Sequence, residues 1–414
     1  MPSNTPAARV RTRRGPISAT TLMASAALAV VAGGASMAVA QVSITPLPRP
    51  SGLMGYSSTS DDGRIVAGFQ FPSGEFQVGP EYATIWTAET GLRICPDPTI
   101  RFSLERLDTP GSRGQTHFTS DGQYALAHRV TPVPGQSYER YRPVKVRLSD
   151  WSVIELPDSL DRAVGMSADG RTIVGNYVPG YGPPADPFVD VRSWSWREGQ
   201  GVSDIVKPNA GIRVTHLSVD GRTMTGLVEG DVNVYRWRDG VSTVINGVGP
   251  WPAVQASYYR PSRNGAVAVS EIYSPNSFDN GVNAILHEDG TWEPLFPVEA
   301  PALGGYFVPQ AITNAADRAT FLLYRYDGGN SRTYVWDRSL GFLQFDRFLA
   351  TFGIVVPVGV ADFTALSMSP DGTTFIGSGP TASGFEQFHI TIPSPGHLSV
   401  AGISLVIISR RRRS

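Results

Sequence analysis

The chain has 414 residues, with 35 Lys+Arg against 36 Asp+Glu, 44 Gly, 33 Pro and one Cys. That Gly and Pro content makes it turn-rich, while 41% hydrophobic residues exclude wholesale disorder and recurrent Pro excludes a coiled coil. The lone Cys95 excludes an intrachain disulfide, so core burial must hold the fold together.

The chain opens with Arg9, Arg11, Arg13 and Arg14, followed by a largely apolar stretch over 17–40 that ends Ser36-Met37-Ala38-Val39-Ala40. Basic residues, an apolar run and a small-x-small end predict a signal peptide over 1–40, cleaved after Ala40. No Phe-Leu follows Arg13-Arg14, so general secretion fits better than twin-arginine export. Cys95 lies in Leu92-Arg93-Ile94-Cys95-Pro96, which reads as a strand end and a turn, where it acts as a small buried hydrophobe.

Residues 41–392 repeat themselves. Ser167-Ala168-Asp169-Gly170 recurs as Ser218-Val219-Asp220-Gly221 and around Asp62-Gly63, Asp121-Gly122, Asn264-Gly265 and Asp371-Gly372. A copy at Asn314-Ala315-Ala316-Asp317 has lost its glycine. The turn position falls at 63, 122, 170, 221, 265, 317 and 372, seven copies spaced 51.5 residues apart on average. Asp-Gly or Asn-Gly between alternating apolar residues predicts a hairpin of type I′, with positive φ at both central residues. The Asp and Gly residues of these copies are therefore structural turn formers. An aromatic strand follows in several copies, as in Thr84-Ile85-Trp86, Trp194-Ser195-Trp196, Tyr235-Arg236-Trp237 and Tyr334-Val335-Trp336, with His287 expected at the tryptophan position of the fifth.

Four short strands per unit, seven times over, predict an all-β, seven-bladed β-propeller. The last copy runs one strand short after Phe388-His389-Ile390-Thr391-Ile392, so the N-terminal strand near Val42-Ser43-Ile44-Thr45 is expected to complete the seventh blade and remove an open edge. Apolar residues at helical spacing and a glycine stop predict one short helix over 344–352. The tail, 393–414, has a Pro-Ser-Pro-Gly spacer, an apolar run over 398–408 and Arg410 to Arg413. Its apolar run is too short to span a bilayer as a helix.

The Ser-x-Asp-Gly units, the tryptophan strands and the Phe348-Leu349-Ala350-Thr351-Phe352-Gly353 segment resemble the HAF family of extracellular repeats over roughly 42–392. The tail resembles a PEP-CTERM sorting signal, with Pro-Ser-Pro-Gly where Pro-Glu-Pro is typical. These resemblances imply an exported, repeat-built β-protein, secreted or held at the cell surface after processing at both ends. They imply contact with export and sorting machinery and with the membrane only transiently, through the terminal segments. They bring no catalytic residues.

Neither end contains Asp or Glu, and together they hold eight of the 35 basic residues, leaving 27 basic against 36 acidic in between. An acidic domain is a poor nucleic-acid binder. The six histidines are scattered without metal-ligand spacing, no Gly-x-Ser-x-Gly elbow or phosphate loop occurs, and no metal or cofactor is expected. If the Asp-Gly turns join first to second strands, the longer connections over 71–80, 131–141, 177–190 and 273–281 lie on the opposite face. Phe71, Tyr138, Tyr177, Tyr181, Phe188 and Tyr273 then make that face the candidate contact surface. The leading expectation is a non-enzymatic surface or matrix protein that binds a glycan or protein partner. The alternative is a glycan-active hydrolase or lyase with carboxylates at the central channel.

Overall fold

Each repeat folds as one four-stranded antiparallel sheet in the order in which its strands occur in the chain. The computed structural model describes residues 42–49, 53–72, 81–102, 117–135, 139–177, 192–207, 212–228, 234–245, 255–274, 277–295, 305–325, 327, 331–356, 364–381 and 384–393, all within the unit Ala40–Ser414. The predicted signal segment and all of the tail beyond 393 lie outside the described residues.

The first blade comprises β2 (Leu53–Thr59), β3 (Ile65–Phe71), β4 (Tyr82–Thr87) and β5 (Gly91–Ile94), and the second β6 (Ile100–Phe102), β7 (Tyr124–Pro132), β8 (Glu139–Arg147) and β9 (Val153–Glu155). The third is β10 (Ala163–Met166), β11 (Thr172–Tyr177), β12 (Arg192–Arg197) and β13 (Gly201–Asp204). The fourth is β14 (Ile212–Leu217), β15 (Thr223–Val228), β16 (Val234–Arg238) and β17 (Val241–Ile245). The fifth is β18 (Gln255–Pro261), β19 (Ala268–Ser274), β20 (Ser277–Leu286) and β21 (Trp292–Pro294), and the sixth β22 (Gly305–Ile312), β23 (Arg318–Arg325), β24 (Arg332–Asp337) and β25 (Gly341–Gln344). The seventh joins β26 (Thr364–Met368), β27 (Thr374–Thr381) and β28 (Gly384–Thr391) to β1 (Ser43–Pro46), which pairs with β28 as its outermost strand. The N-terminal strand thus closes the ring, as the sequence leads one to expect.

Blades pack face to face, so a second strand such as β3 is buried on both sides, whereas an outer strand such as β13 is mostly exposed. Each seam carries its own apolar cluster. Ala67, Ile85, Phe102 and Val144 fill the first, and Val174, Val214 and Leu217 the third. Burying one such Val, Leu or Phe side chain is worth about 1.5–3 kcal/mol. The only helix among the described residues, α1 (Phe345–Ala350), buries Phe345, Phe348 and Leu349 at positions i, i+3 and i+4 against the seventh blade. The turn that follows it closes at Gly353, whose φ of 78° lets the Ile354 N–H reach back to the Leu349 carbonyl.

Three details depart from the sequence reading. In the Ser-x-Asp-Gly turns only the glycine has positive φ, so these are not type I′ hairpins. That geometry occurs instead at Asp239-Gly240, φ 50° and 83°, between β16 and β17. In the sixth copy the left-handed position is Ala316 (φ 55°) and not residue 317. In the fifth, the pairing of Ala268 with Leu286 puts Leu286 where the first blade pairs Val66 with Trp86, leaving His287 one residue beyond.

Candidate functional site

A Ser or Thr hydroxyl organises every turn. Ser167 Oγ donates to Asp169 Oδ1 (2.6 Å) and accepts the Thr172 N–H (3.0 Å), while Asp169 Oδ1 also accepts the Arg171 N–H (3.0 Å). Ser60, Thr119, Ser218, Ser262 and Ser369 repeat this with Asp62, Asp121, Asp220, Asn264 and Asp371. In the sixth copy the aspartate has moved two places, and Thr313 finds Asp317 instead. The Ser167 hydroxyl holds the Asp169 carboxyl below its ordinary pKa. These carboxylates are therefore committed to their turns.

The residue between Ser/Thr and Asp faces the neighbouring blade. The Ser120 N–H donates to the Ala168 carbonyl, the Ala168 N–H to Val219 and the Val219 N–H to Arg263, at 2.7–3.0 Å. The Asn264 N–H then reaches Asn314 Oδ1 (2.9 Å), and the Asn314 N–H the Pro370 carbonyl (2.8 Å). Arg263 occupies this position in the fifth blade, and its side chain crosses the axis. Nε donates to Asp61 Oδ1 in the first blade (3.0 Å) and Nη1 to His117 Nδ1 in the second (2.9 Å). Both terminal nitrogens bond the Met166 carbonyl (3.2 Å), and Nη1 also reaches that of Leu217 (3.4 Å). One guanidinium thus ties the fifth blade to four others. Burial, with Arg263 and then His216 adding to it, holds the His117 pKa far below the ordinary histidine value. His216 is pushed down to about 3, again by burial and then Arg263.

On the opposite face the second blade carries a partly buried charge cluster. Arg101 on innermost strand β6 makes a bidentate pair with Glu139 (2.8 and 3.1 Å), and Glu81 stands 4.0 Å from its Nε. The Tyr141 hydroxyl donates to Glu139 (3.2 Å), and its ring lies under the Arg162 guanidinium (5.2 Å) and edge-on to His128 (6.1 Å). Arg162 has φ 32°, a strained value for a residue with a Cβ. Burial, and then the Glu139 charge, raises the Tyr141 pKa. His128, its Nε2 accepting the Ala163 N–H (3.0 Å), is pushed down to about 3 by burial and then Arg162. Partly buried carboxylates beside a guanidinium and a phenol can bind a polyhydroxyl ligand or exchange a proton with one.

Of the residues expected on this face, Phe71 is 5% exposed and lies edge-on to Phe69 at 5.6 Å, so its ring belongs to the core and not to the contact surface. Tyr177 is partly buried at the end of β11, with Arg192 over its ring (5.3 Å) and Trp194 at 6.5 Å. Tyr273 lies on β19 opposite Gln255. Tyr138, Tyr181 and Phe188 lie outside the described residues. The sequence reading passed over Arg263, His117 and Asp61. A signal for them was available, because the variable position of the motif runs Asp61, Ser120, Ala168, Val219, Arg263, Asn314, Pro370, with one anion and one cation. No group of three or more His, Cys, Asp or Glu arranged to hold a metal occurs among the described residues.

No family model and no curated protein matches the chain. Solved structures do. An oligogalacturonate lyase in complex with manganese is 12% identical with TM-score 0.52, over 86% of this chain and 94% of that one. The β-propeller domain of the Trilobed protease from Pyrococcus furiosus is 11% identical with TM-score 0.52, over 82% and 95%. The Pyrococcus horikoshii acylaminoacyl peptidase is 13% identical with TM-score 0.51, over 84% of this chain and 54% of its own. The likeness is one of fold. The P. furiosus domain has an open velcro topology, whereas here β1 completes the last sheet.

Proposed function

We propose that this is an exported, non-enzymatic binding protein that contacts a glycan or protein partner through the face carrying the connections from second to third strands. The observation that carries this reading is the contrast between the faces. The turn hydroxyl accepts an N–H from the residue five places on in every blade. The connections opposite run from two residues, between β19 and β20 and between β27 and β28, to fourteen, between β11 and β12. Variable connections on a constant scaffold are the usual form of a recognition surface. Export through the signal segment and sorting through the Arg-ended tail belong to the same proposal.

The rival reading is a glycan-active hydrolase or lyase. It is favoured by the Glu81–Arg101–Glu139–Tyr141 group and by the fold shared with an oligogalacturonate lyase. A glycan array on the purified protein, with each hit incubated and searched for shortened or unsaturated products, separates the two. Binding without turnover supports the first reading, and product formation overturns it. Alanine at Tyr177 and at Tyr181 is expected to weaken binding to a hit by about tenfold, since an aromatic contact is worth about 1–2 kcal/mol.

A further inference from the structure

The axial cluster sets a cation against a neutral imidazole, and among the described residues Asp61 is the one carboxylate bonded to that cation. Arginine can only donate, so His117 Nδ1 accepts from Arg263 and its ring proton sits on Nε2, bonded to the Val164 backbone. Arg263 acts on His117 from the fifth blade and His216 from the fourth, while Asp61 of the first reaches it only through Arg263. The third blade supplies the backbone of Met166 and Val164. Asp61 therefore balances one charge and no more.

We propose that Arg263 and His117 form an acid-sensitive latch on the axis. Protonating His117 turns its Nδ1 from acceptor to donor, so that N–H faces N–H and cation faces cation. The guanidinium leaves the axis toward Asp61, whose side chain is 31% exposed against 6% for Arg263. Its departure breaks the guanidinium's bonds to the second, third and fourth blades and leaves it paired with Asp61 of the first. The ring of turn amides from Ser120 to Val219 then loses the brace beside it. The strands, held by their own ladders and apolar seams, stay paired.

Amide hydrogen exchange on the full chain, corrected for the intrinsic pH dependence, tests this. From about pH 7 to about pH 4.5, the Ser120, Ala168 and Val219 amides are expected to lose about tenfold in protection while β11 and β15 keep theirs. His117→Gln, which accepts the same hydrogen bond without titrating, is expected to abolish that loss. Identical acid responses in both proteins overturn the latch, as does ring protection lost only together with that of the strands. Should the variant fail to fold, the His117 imidazole resonance of the unaltered protein decides. Ring protection that falls above the His117 midpoint and levels off below it supports the latch, and protection that stays level until that midpoint is passed overturns it.

Discussion

On the turn face of the propeller, seven hydroxyls each hold an amide five residues on, whatever else their blades contain. On the opposite face the connections between second and third strands range from two to fourteen residues and share no motif. The first face is fixed because its turns also touch one another. A Cβ built on Gly63 would lie 2.2 Å from Thr374 Oγ1, and His389 Nε2 donates to the Gly63 carbonyl (2.8 Å) across the seam that closes the ring.

Substitution at Gly63 breaks this comparison most severely. Gly63→Ala is expected to cost about 3 kcal/mol, adding a clash with Thr374 to the cost of positive φ. Gly91→Ala, at nearly the same φ (68° against 69°) but with open space around it, is expected to cost only about 1 kcal/mol. Urea denaturation of both variants checks this, and equal losses would mean that contact between turns contributes nothing.

Next in size is Ser167→Ala. It removes one donor to Asp169 and one acceptor for Thr172 inside a buried turn, for an expected loss of about 1–2 kcal/mol. A three-residue insertion at 178–191 is expected to change stability by less than about 0.5 kcal/mol, whereas the same insertion at 167–171 costs about 2 kcal/mol or more. Thermal unfolding of the two insertion variants measures the asymmetry directly.

Acid sharpens the same contrast more gently. His117, His128 and His216 have folded pKa values depressed below the ordinary 6.5, so the unfolded chain takes up protons first. Their contribution is fully present above pH 6.5 and is lost progressively as pH falls, for His128 and His216 down to about 3. Asp121, Asp169 and Asp220, depressed below 3.8, add a further loss only beneath that pH. The urea midpoint is expected to be lower at about pH 4.5 than at about pH 7, and His128→Gln is expected to flatten the dependence. An unchanged midpoint in the unaltered protein would rule out buried neutral histidines.

Much of the architecture was legible in the sequence because each blade repeats one local solution. Ser-x-Asp-Gly marks the turn, the strand of Trp86 or Trp237 marks the third strand, and the short last copy points to closure by the N-terminal strand. The turn type was misread because Asp-Gly alone favours type I′, whereas the serine two residues before the Asp captures its carboxylate and leaves only glycine left-handed. The candidate site was less legible. Arg101, Glu81 and Glu139 come from two blades and three strand ends, and nothing in their local sequence announces that they meet. Phe71 shows the converse error, an aromatic at a strand end that a neighbouring ring covers.

The sequence by itself determined the repeat, the hairpins, the number of blades and the excess of acid once both ends are set aside, since each follows from local spacing or simple counting. Only the tertiary structure decided which variable-position residues meet at the axis. Asp61 and Arg263 lie 202 residues apart and become partners because a closed ring brings the innermost turns of all seven blades to one line. Closure also gave Gln387 and His389 their role, bonding Tyr56 and Gly63 across more than 300 residues of chain. A local pattern can specify a blade, but the angle at which seven blades meet is set by packing between them, and with it the position of every group at the axis.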